Sequence, residues 1–228
     1  MKGKLYGVGV GPGDPMLMTL KAVKQIENCP VIAVPGKDKH QSVAYQIVSG
    51  VLDLGQKECL EIQMPMTKDK EKLDRCHEAG ANQIEQVLQT GKDVAFLTLG
   101  DPTIYATYIY LHQRIAKRGY DTEIINGVPS FCAAAARLNI ALAQKAQPLH
   151  VIPASYQVEE AMNLPGTKVF MKAGSKLEIL KEKLINCPDD IYMVENCGME
   201  QEKVFYSAEQ MDEKAGYYSV VIMKEKDA

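Results

Sequence analysis

A strand followed by a glycine-proline turn and then a helix occurs twice in this sequence, and it constrains the fold more than any other feature. Residues 4–10 have β-type composition and lead into Gly-Pro-Gly-Asp-Pro at 11–15. Residues 93–99 form an apolar strand, and Gly-Asp-Pro follows at 100–102. Apolar strands of this kind are typical of parallel sheets that are covered on both faces. The repeated unit therefore predicts an α/β fold with a mainly parallel sheet.

The alternation of strands and helices continues along the chain and changes character at about residue 143. Before that point, apolar spacing predicts strands over 30–34, 58–63 and 123–125 and helices over 17–27, 42–51, 68–89, 104–117 and 129–138. Beyond it we expect strands over 149–152, 168–171, 191–194, 202–206 and 217–223, and helices over 158–162 and 175–185. Few helices and closely spaced final strands favour a mixed sheet. We therefore expect two α/β domains, an N-terminal one over 1–143 that carries the glycine-proline loops and a C-terminal one over 144–228.

Composition and charge argue against several classes of function. A net charge of -3 over 228 residues gives no sign of a nucleic-acid partner, which would favour a basic surface. The first residues carry two lysines without an apolar segment behind them, and the longest apolar runs are far short of a membrane span. Six scattered cysteines without a C-x-x-C pair indicate reduced thiols, so we expect a cytoplasmic protein. Cys76-His77 has no second pair of ligands nearby, and no metal site is expected.

The glycine-rich turn at 7–15 does not have the dinucleotide-binding pattern. In G-x-G-x-x-G the sixth residue is glycine, but counted from Gly7 or Gly9 it is proline or aspartate. Proline removes an N–H donor and aspartate repels anions, so the turn suits a phosphate poorly. Standing alone it could be only a tight connection. A third turn at 126–131 follows the next strand, and such turns collect at one sheet edge. Together they predict a pocket for a cationic, non-phosphate ligand.

These motifs resemble the tetrapyrrole methylases. The resemblance covers nearly the whole chain, through Gly-Val-Gly-Pro-Gly-Asp-Pro at 9–15, Gly-Asp-Pro at 100–102, Gly-Val-Pro-Ser at 127–130, Val-Phe-Met at 169–171 and Val-Glu-Asn at 194–196. It implies methyl transfer from S-adenosylmethionine (SAM), which leaves S-adenosylhomocysteine. It also implies two α/β domains with the active site in the cleft between them, and a homodimer.

Two details resemble the branch of the family that methylates C20 of precorrin-2 or cobalt-factor II on the route to cobalamin. They are Gly-Asp-Pro-Thr-Ile-Tyr at 100–105 and Gly-Val-Pro-Ser-Phe at 127–131. The uroporphyrinogen-III methylases have an aspartate at the end of the second strand, proposed as a general base, and this chain has Pro35 at that position. Three alternatives stay open: methylation of another corrin carbon or of uroporphyrinogen III, methylation of ribosomal RNA or a protein histidine, and a nucleotide-binding module without chemistry.

The resemblance also implies which residues form the site. Around the cofactor it implies Pro12, Leu99, Gly100, Asp101, Ile104, Pro129, Ser130, Met171, Asn196 and Cys197. A proton leaves C20 after the methyl group arrives, and its candidate acceptors are Tyr105, Asp101 and Glu195. The polycarboxylate substrate needs cations and N–H donors, for which the candidates are Lys37, Lys39, His40 and Ser42, with Lys172 and Arg137 as further ones. The alternatives are a core position for Met171, a helix-capping role for Asp101 and a solvated loop after the second strand.

Overall fold

The chain divides into two compact units. The computed structural model describes residues 2–153, 158–174 and 177–226. The units are Met1–Pro129 and Ser130–Ala228. The sequence placed the boundary later, between 143 and 144. Helix Ser130–Leu138 accounts for most of the difference, because it packs against two strands of the second unit.

Over residues 2–129, the first unit contains five strands that alternate with four α-helices. The strands are β1 (Leu5–Gly9), β2 (Val31–Pro35), β3 (Glu58–Ile62), β4 (Val94–Thr98) and β5 (Thr122–Ile125). The helices are α1 (Leu20–Asn28), α2 (Val43–Ser49), α3 (Lys70–Gln89) and α4 (Tyr108–Lys117), with short 3-10 helices at Pro15–Leu17 and Lys39–Gln41. All five strands are parallel and pair in the order β3-β2-β4-β1-β5, which confirms the predicted parallel sheet.

Helices cover both faces of this sheet. Side chains of α1 and α2 form one core, with Ala95 and Leu97 of β4. Side chains of α3 and α4 form the other, with Val94 and Phe96 of the same strand. Successive side chains of a strand point to opposite faces, so the four apolar residues at 94–97 supply both cores.

The second unit is built on a mixed sheet. Its described residues form α5 (Ser130–Leu138), β6 (Leu149–Pro153), α6 (Val158–Met162), β7 (Thr167–Met171), α7 (Leu177–Ile185), β8 (Asp190–Glu195), β9 (Lys203–Phe205) and β10 (Ser219–Lys224). The strand order is β6-β7-β10-β8-β9; β6 and β7 are parallel and the other neighbours antiparallel. The predicted mixed sheet is confirmed. Residues 175 and 176 of the helix predicted over 175–185 lie outside the described residues.

Both glycine-proline turns delay the helix that follows them. α1 begins at Leu20 and α4 at Tyr108, three and four residues later than the apolar spacing predicted. In each turn an aspartate, Asp14 or Asp101, accepts a hydrogen bond from the N–H two residues later, at 2.8 and 2.7 Å. Such a bond closes a local turn that competes with the helix.

Among the described residues, no helix has both the length and the apolar character that crossing a bilayer requires.

Candidate functional site

The chain leaves the two central strands of the first sheet in opposite directions. From β1 it passes through α1 to β2, and from β4 it passes through α4 to β5 on the other side of the pair. α1 and α4 also lie on opposite faces of the sheet. Open α/β sheets bind ligands in the crevice outside the carboxyl ends of two such strands. The loops after β1, β4 and β5 lie at this point.

Backbone contacts between glycines join these three loops. Gly11 and Gly100 form an antiparallel bridge just past the strand ends, where the Gly100 N–H donates to the Gly11 carbonyl at 2.8 Å and the Gly11 N–H to the Gly100 carbonyl at 3.3 Å. Both have positive φ, of 80° and 70°, which glycine adopts without steric cost. A Cβ on Gly127 would lie 2.2 Å from the Gly100 oxygen and 2.7 Å from the Gly9 carbonyl carbon. We call Gly9, Gly11, Gly100 and Gly127 the glycine junction.

Asp101 ties the third loop to the second. Its side chain is buried, and one oxygen accepts from the Thr103 N–H at 2.7 Å and from the Thr103 hydroxyl. The other oxygen accepts from the Asn126 amide at 3.1 Å and from the Gly127 N–H at 3.0 Å. Burial raises the pKa of Asp101, but these hydrogen bonds lower it by more, so its pKa lies below the ordinary value. A carboxylate of low pKa that already holds four donors is a weak proton acceptor, and this geometry favours a positioning role.

The rest of the second loop is held in an unusual backbone conformation. The Ile104 N–H donates to the Asp101 carbonyl at 3.2 Å. Tyr105 follows with φ 49°, and its side chain is 43% exposed. A left-handed conformation costs a non-glycine residue about 1–2 kcal/mol, so the surrounding loop imposes it. Two further predicted residues flank the glycine junction: Leu99, which is half-buried, and Pro12, which is buried.

A buried tyrosine supports the junction from beneath β1. Tyr108 lies against Gly7, where a Cβ would come within 2.0 Å of its ring. Its hydroxyl hydrogen-bonds to the Gly7 backbone and to His112 Nδ1 at 3.1 Å, and His112 Nε2 lies 3.3 Å from the Thr122 hydroxyl. Burial raises the pKa of Tyr108 far above its ordinary value, although the Gly7 bond lowers it. The phenol is therefore neutral, and Gly7 serves packing within the unit.

Two residues that the sequence analysis did not single out complete the first-unit site. The Thr19 hydroxyl caps α1 by accepting from the N–H three residues later at 3.1 Å, and it donates to the Asn126 carbonyl at 3.3 Å. The Asn126 side chain binds Asp101, so the loops after β1, β4 and β5 are also linked through side chains. Pro129 and Ser130, both half-buried, follow in the third loop and at the start of α5. The sequence contained one signal for Asn126, namely its position directly after a predicted strand.

The loop after β2 carries the predicted substrate-binding residues. β2 pairs with β4, so this loop lies beside the second loop at the same sheet edge. Asp38 accepts from the His40 N–H at 2.9 Å, and Glu61 accepts from the Lys39 N–H at 2.9 Å. The Lys39 ammonium lies 5.7 Å from the centre of the Tyr45 ring. Asp38 within the segment and Glu61 beside it offset much of the positive charge of the two lysines.

The other residues predicted in this loop differ in exposure. Lys37 and His40 are exposed, whereas Ser42 is buried. Ser42 stands at the N-cap position of α2, as predicted, but its side chain makes no capping hydrogen bond with the described residues. A buried hydroxyl is a poor contact for an external carboxylate, so Lys37 and His40 are the better-placed candidates.

In the second unit, predicted site residues lie at one edge of the sheet. β7 and β8 are both antiparallel to β10, so they run parallel to each other and end at the same edge. Met171, half-buried, ends β7, and Glu195 ends β8. Asn196 follows with φ 52°, and its N–H donates to the Tyr218 carbonyl at 3.0 Å. The structure thus brings Met171, Glu195 and Asn196 to the same edge of the sheet, on two strands that are separated by β10.

Glu195 is engaged in holding its own unit together. It is only 7% exposed, and one carboxylate oxygen accepts from the Gly216 N–H at 2.7 Å. The other oxygen lies 3.6 Å from the Lys203 ammonium. That oxygen is buried and accepts no hydrogen bond from the described residues. The burial and the Gly216 contact favour a structural role for this carboxylate, because proton transfer needs access to the reacting atom.

Cys197 and Arg137 are both bound to Glu202. The Glu202 carboxylate accepts from the Gly198 N–H at 2.8 Å, from the Arg137 guanidinium and from the buried Cys197 thiol. Burial raises the pKa of Glu202, but the Gly198 and Arg137 contacts lower it by more. Arg137 is therefore already paired with a carboxylate of its own unit.

The fold and the glycine junction define the class of protein. Residues 4–212 match the tetrapyrrole (corrin/porphyrin) methylases, and the chain belongs to this family.

Within the family, the chain is similar to proteins named for methylation at carbon 20. It is 36% identical over 230 residues to a probable cobalt-precorrin-2 C(20)-methyltransferase from Methanocaldococcus jannaschii, which covers 97% of this chain and 96% of that protein. It is 31% identical over 234 residues to a precorrin-2 C(20)-methyltransferase from a Sinorhizobium species, covering 97% and 95%. The uroporphyrin-III C-methyl transferase of Thermus thermophilus, solved with S-adenosylhomocysteine, has the same fold, with a TM-score of 0.72, 19% identity and 98% coverage of both chains.

Proposed function

We propose that this chain transfers the methyl group of SAM to C20 of precorrin-2 or cobalt-factor II in cobalamin biosynthesis. The observation that carries the proposal is the glycine junction at the β1–β4 crevice, in a chain that matches two C20-methyltransferases over almost their full length. One of these relatives is named for a cobalt-containing ring and the other for the metal-free ring, so both rings are candidate substrates.

The donors at the glycine junction suit a cationic cofactor better than a phosphate. The N–H groups of Gly11 and Gly100 are used in the bridge between the loops, and the Gly127 N–H is used by Asp101. Pro12 has no N–H to offer. A phosphate would therefore meet carbonyls and a carboxylate instead of free donors, whereas the sulfonium and ammonium groups of SAM meet favourable charge. This counts against the nucleotide-binding module.

We assign the surroundings of SAM in the first unit to the backbone near the junction. Leu99, Gly100 and Ile104 would contact its amino-acid and ribose parts, with Pro12 and the third-loop residues Pro129 and Ser130 beside them. Asp101 would hold the second and third loops at the correct separation through its four hydrogen bonds. The contacts of Met171, Asn196 and Cys197 with the cofactor stay predictions.

The chain's contribution to the chemistry is mainly orientation. When bound, SAM supplies a methyl group on a sulfonium that is already activated for in-line displacement. Fixed loops align donor and acceptor and keep water out, which requires no acid or base before methyl transfer. Of the candidate acceptors for the C20 proton, Asp101 and Glu195 are engaged in hydrogen bonds. Tyr105, whose ring is partly exposed in the second loop, stays a candidate acceptor, directly or through a water molecule.

The test is a single-turnover reaction with SAM carrying a 13C-labelled methyl group. Precorrin-2 and cobalt-factor II are supplied separately, and the product is analysed by mass spectrometry and NMR. We expect a mass gain of one methyl group and one labelled carbon bonded to C20. Reactions without protein and reactions with excess S-adenosylhomocysteine are the controls. A label at another carbon would support the same-fold alternative, and S-adenosylhomocysteine binding without any transfer would contradict the proposal.

We also propose that the protein is a homodimer in the cytoplasm. The family resemblance supports the dimer, and six free thiols fit a reducing compartment. Sedimentation equilibrium should give twice the chain mass, and cell fractionation should recover the protein with cytoplasmic markers. A monomer at micromolar concentration would contradict the first expectation.

A further inference from the structure

The segment that leads into β10 is anchored at three points. This segment comprises residues 216–219, and the Gly216 N–H donates to the buried Glu195 carboxylate at 2.7 Å. The Gly216 carbonyl accepts from the Ser219 hydroxyl at 2.8 Å, and the Tyr218 carbonyl accepts from the Asn196 N–H at 3.0 Å. Two of these three bonds tie the segment to the end of the neighbouring strand β8, and the third lies within the segment itself.

Two aromatic side chains of this anchored segment are partly exposed. Tyr217 and Tyr218 are 40% and 38% exposed, and their rings meet edge to face with centroids 5.4 Å apart. Two adjoining rings that stay partly exposed on a fixed backbone form a small surface on which a flat apolar ligand can pack.

Lys172 brings a positive charge to the same place. It follows Met171, which pairs in register with Val220 of β10, so it lies beside the anchored segment. Its ammonium is 5.9 Å from the centre of the Tyr217 ring. Its φ is 58°, a left-handed conformation that is unfavourable for lysine and is typical of functional sites when the surrounding structure maintains it.

We infer that Lys172, Tyr217 and Tyr218, here called the lysine–tyrosine edge, recognise the tetrapyrrole substrate. The ammonium binds a side-chain carboxylate of the ring, and the tyrosine rings pack on its flat apolar surface. The inference rests on the proposed function, because it takes its ligand class from that reaction.

Charge and shape both favour this ligand. A carboxylated macrocycle combines anionic groups at its perimeter with a wide apolar face, which matches one cation beside two partly exposed rings. Glu195, at the end of the neighbouring strand β8, accepts from the Gly216 N–H and lies 3.6 Å from the Lys203 ammonium, so its charge is partly neutralised within the unit. The competing occupant is a second copy of this chain, since exposed aromatic surfaces also form protein interfaces.

The experiment compares two disruptive variants, Lys172→Met and Tyr217→Leu, with two conservative ones, Lys172→Arg and Tyr217→Phe. Tyr206→Leu is the matched control, because Tyr206 is a 57% exposed ring that also meets another tyrosine edge to face, at 6.5 Å. Each variant is assayed for KM of the tetrapyrrole and for kcat. Binding of S-adenosylhomocysteine, binding of uroporphyrin III by porphyrin fluorescence, and sedimentation are measured in parallel.

The disruptive variants should raise KM and weaken uroporphyrin binding about tenfold, as expected for loss of one charge-assisted or stacking contact. S-adenosylhomocysteine affinity, kcat and sedimentation should stay as in the unchanged protein. The conservative variants should recover most of the lost substrate and uroporphyrin binding, and Tyr206→Leu should leave every property unchanged. An unchanged KM in both disruptive variants would overturn the inference. So would an altered oligomeric state, which would assign the edge to a second copy.

The two proposals can fail separately. If the unchanged protein binds uroporphyrin III but methylates neither ring, the proposed function is wrong and the porphyrin titrations still decide the role of the lysine–tyrosine edge. If the protein binds no porphyrin at all, the inference is overturned even when methyl transfer to another acceptor is found.

Discussion

Replacing Gly127 with alanine should damage the cofactor site far more than it damages the fold. The new methyl group would start 2.2 Å from the Gly100 oxygen, and ordinary contact begins near 3.4 Å, so the oxygen has to retreat by about 1.2 Å. Both neighbours are backbone atoms, and no flexible side chain can absorb the shift. A displacement of about 1 Å near a reacting centre slows catalysis about 100-fold. Overpacking of this kind costs about 1–3 kcal/mol of stability.

The assay is kcat/KM for methyl transfer together with calorimetric binding of S-adenosylhomocysteine. Gly119→Ala is the control, because Gly119 has φ 77° and open space around the added carbon. That variant should lose about 1–2 kcal/mol from strain alone and keep its cofactor affinity. If Gly127→Ala binds S-adenosylhomocysteine and turns over as well as Gly119→Ala does, the glycine junction is not part of the site.

Three further predictions concern stability. Asp101→Asn should lower the free energy of unfolding by about 2 kcal/mol in urea titrations at neutral pH, because charge-assisted hydrogen bonds are lost. The pKa of Asp101 is lower in the folded protein than in the unfolded chain, where it is ~4. The difference in unfolding free energy between the two proteins should therefore be full above pH ~4 and vanish as the pH falls through the pKa of the folded state. A difference that does not change with pH would contradict this explanation. Burial and the Arg114 charge lower the pKa of His77, so the melting temperature should fall as pH drops below about 6.5, and His77→Gln should flatten that slope. Tyr108→Phe should cost about 1 kcal/mol, measured by chemical denaturation, and no loss would mean that its hydrogen bonds contribute nothing.

Much of the fold was predictable because its signals are local. Apolar periodicity and the glycine-proline turns identified the strands of both sheets to within a few residues. The boundary between the two units does not follow from such local signals. The alanine-rich α5 shows that one of its faces is buried, but nothing in that pattern tells which sheet buries it.

The internal arrangement of the candidate site was less predictable, since it depends on contacts between distant parts of the chain. The sequence placed Asp101 in a ligand-binding turn and offered a helix-capping role as the alternative. Its actual partners include Asn126 and Gly127 of another loop, which no local pattern reveals. Gly7 was grouped with the ligand loop, whereas its missing side chain makes room for Tyr108. That pairing joins residues about one hundred positions apart.

The glycine junction divides the chain into parts that tolerate change differently. Because three loops touch through main-chain atoms, lengthening or shortening any one of them would disturb the other two. The loop at 36–42 is less crowded, since a carbon added at Gly36 would meet nothing within 4 Å, although the φ of 125° at that position still favours glycine. An engineer who wants this scaffold to accept a differently decorated ring should therefore diversify residues 37–41 and leave the residues of the junction untouched.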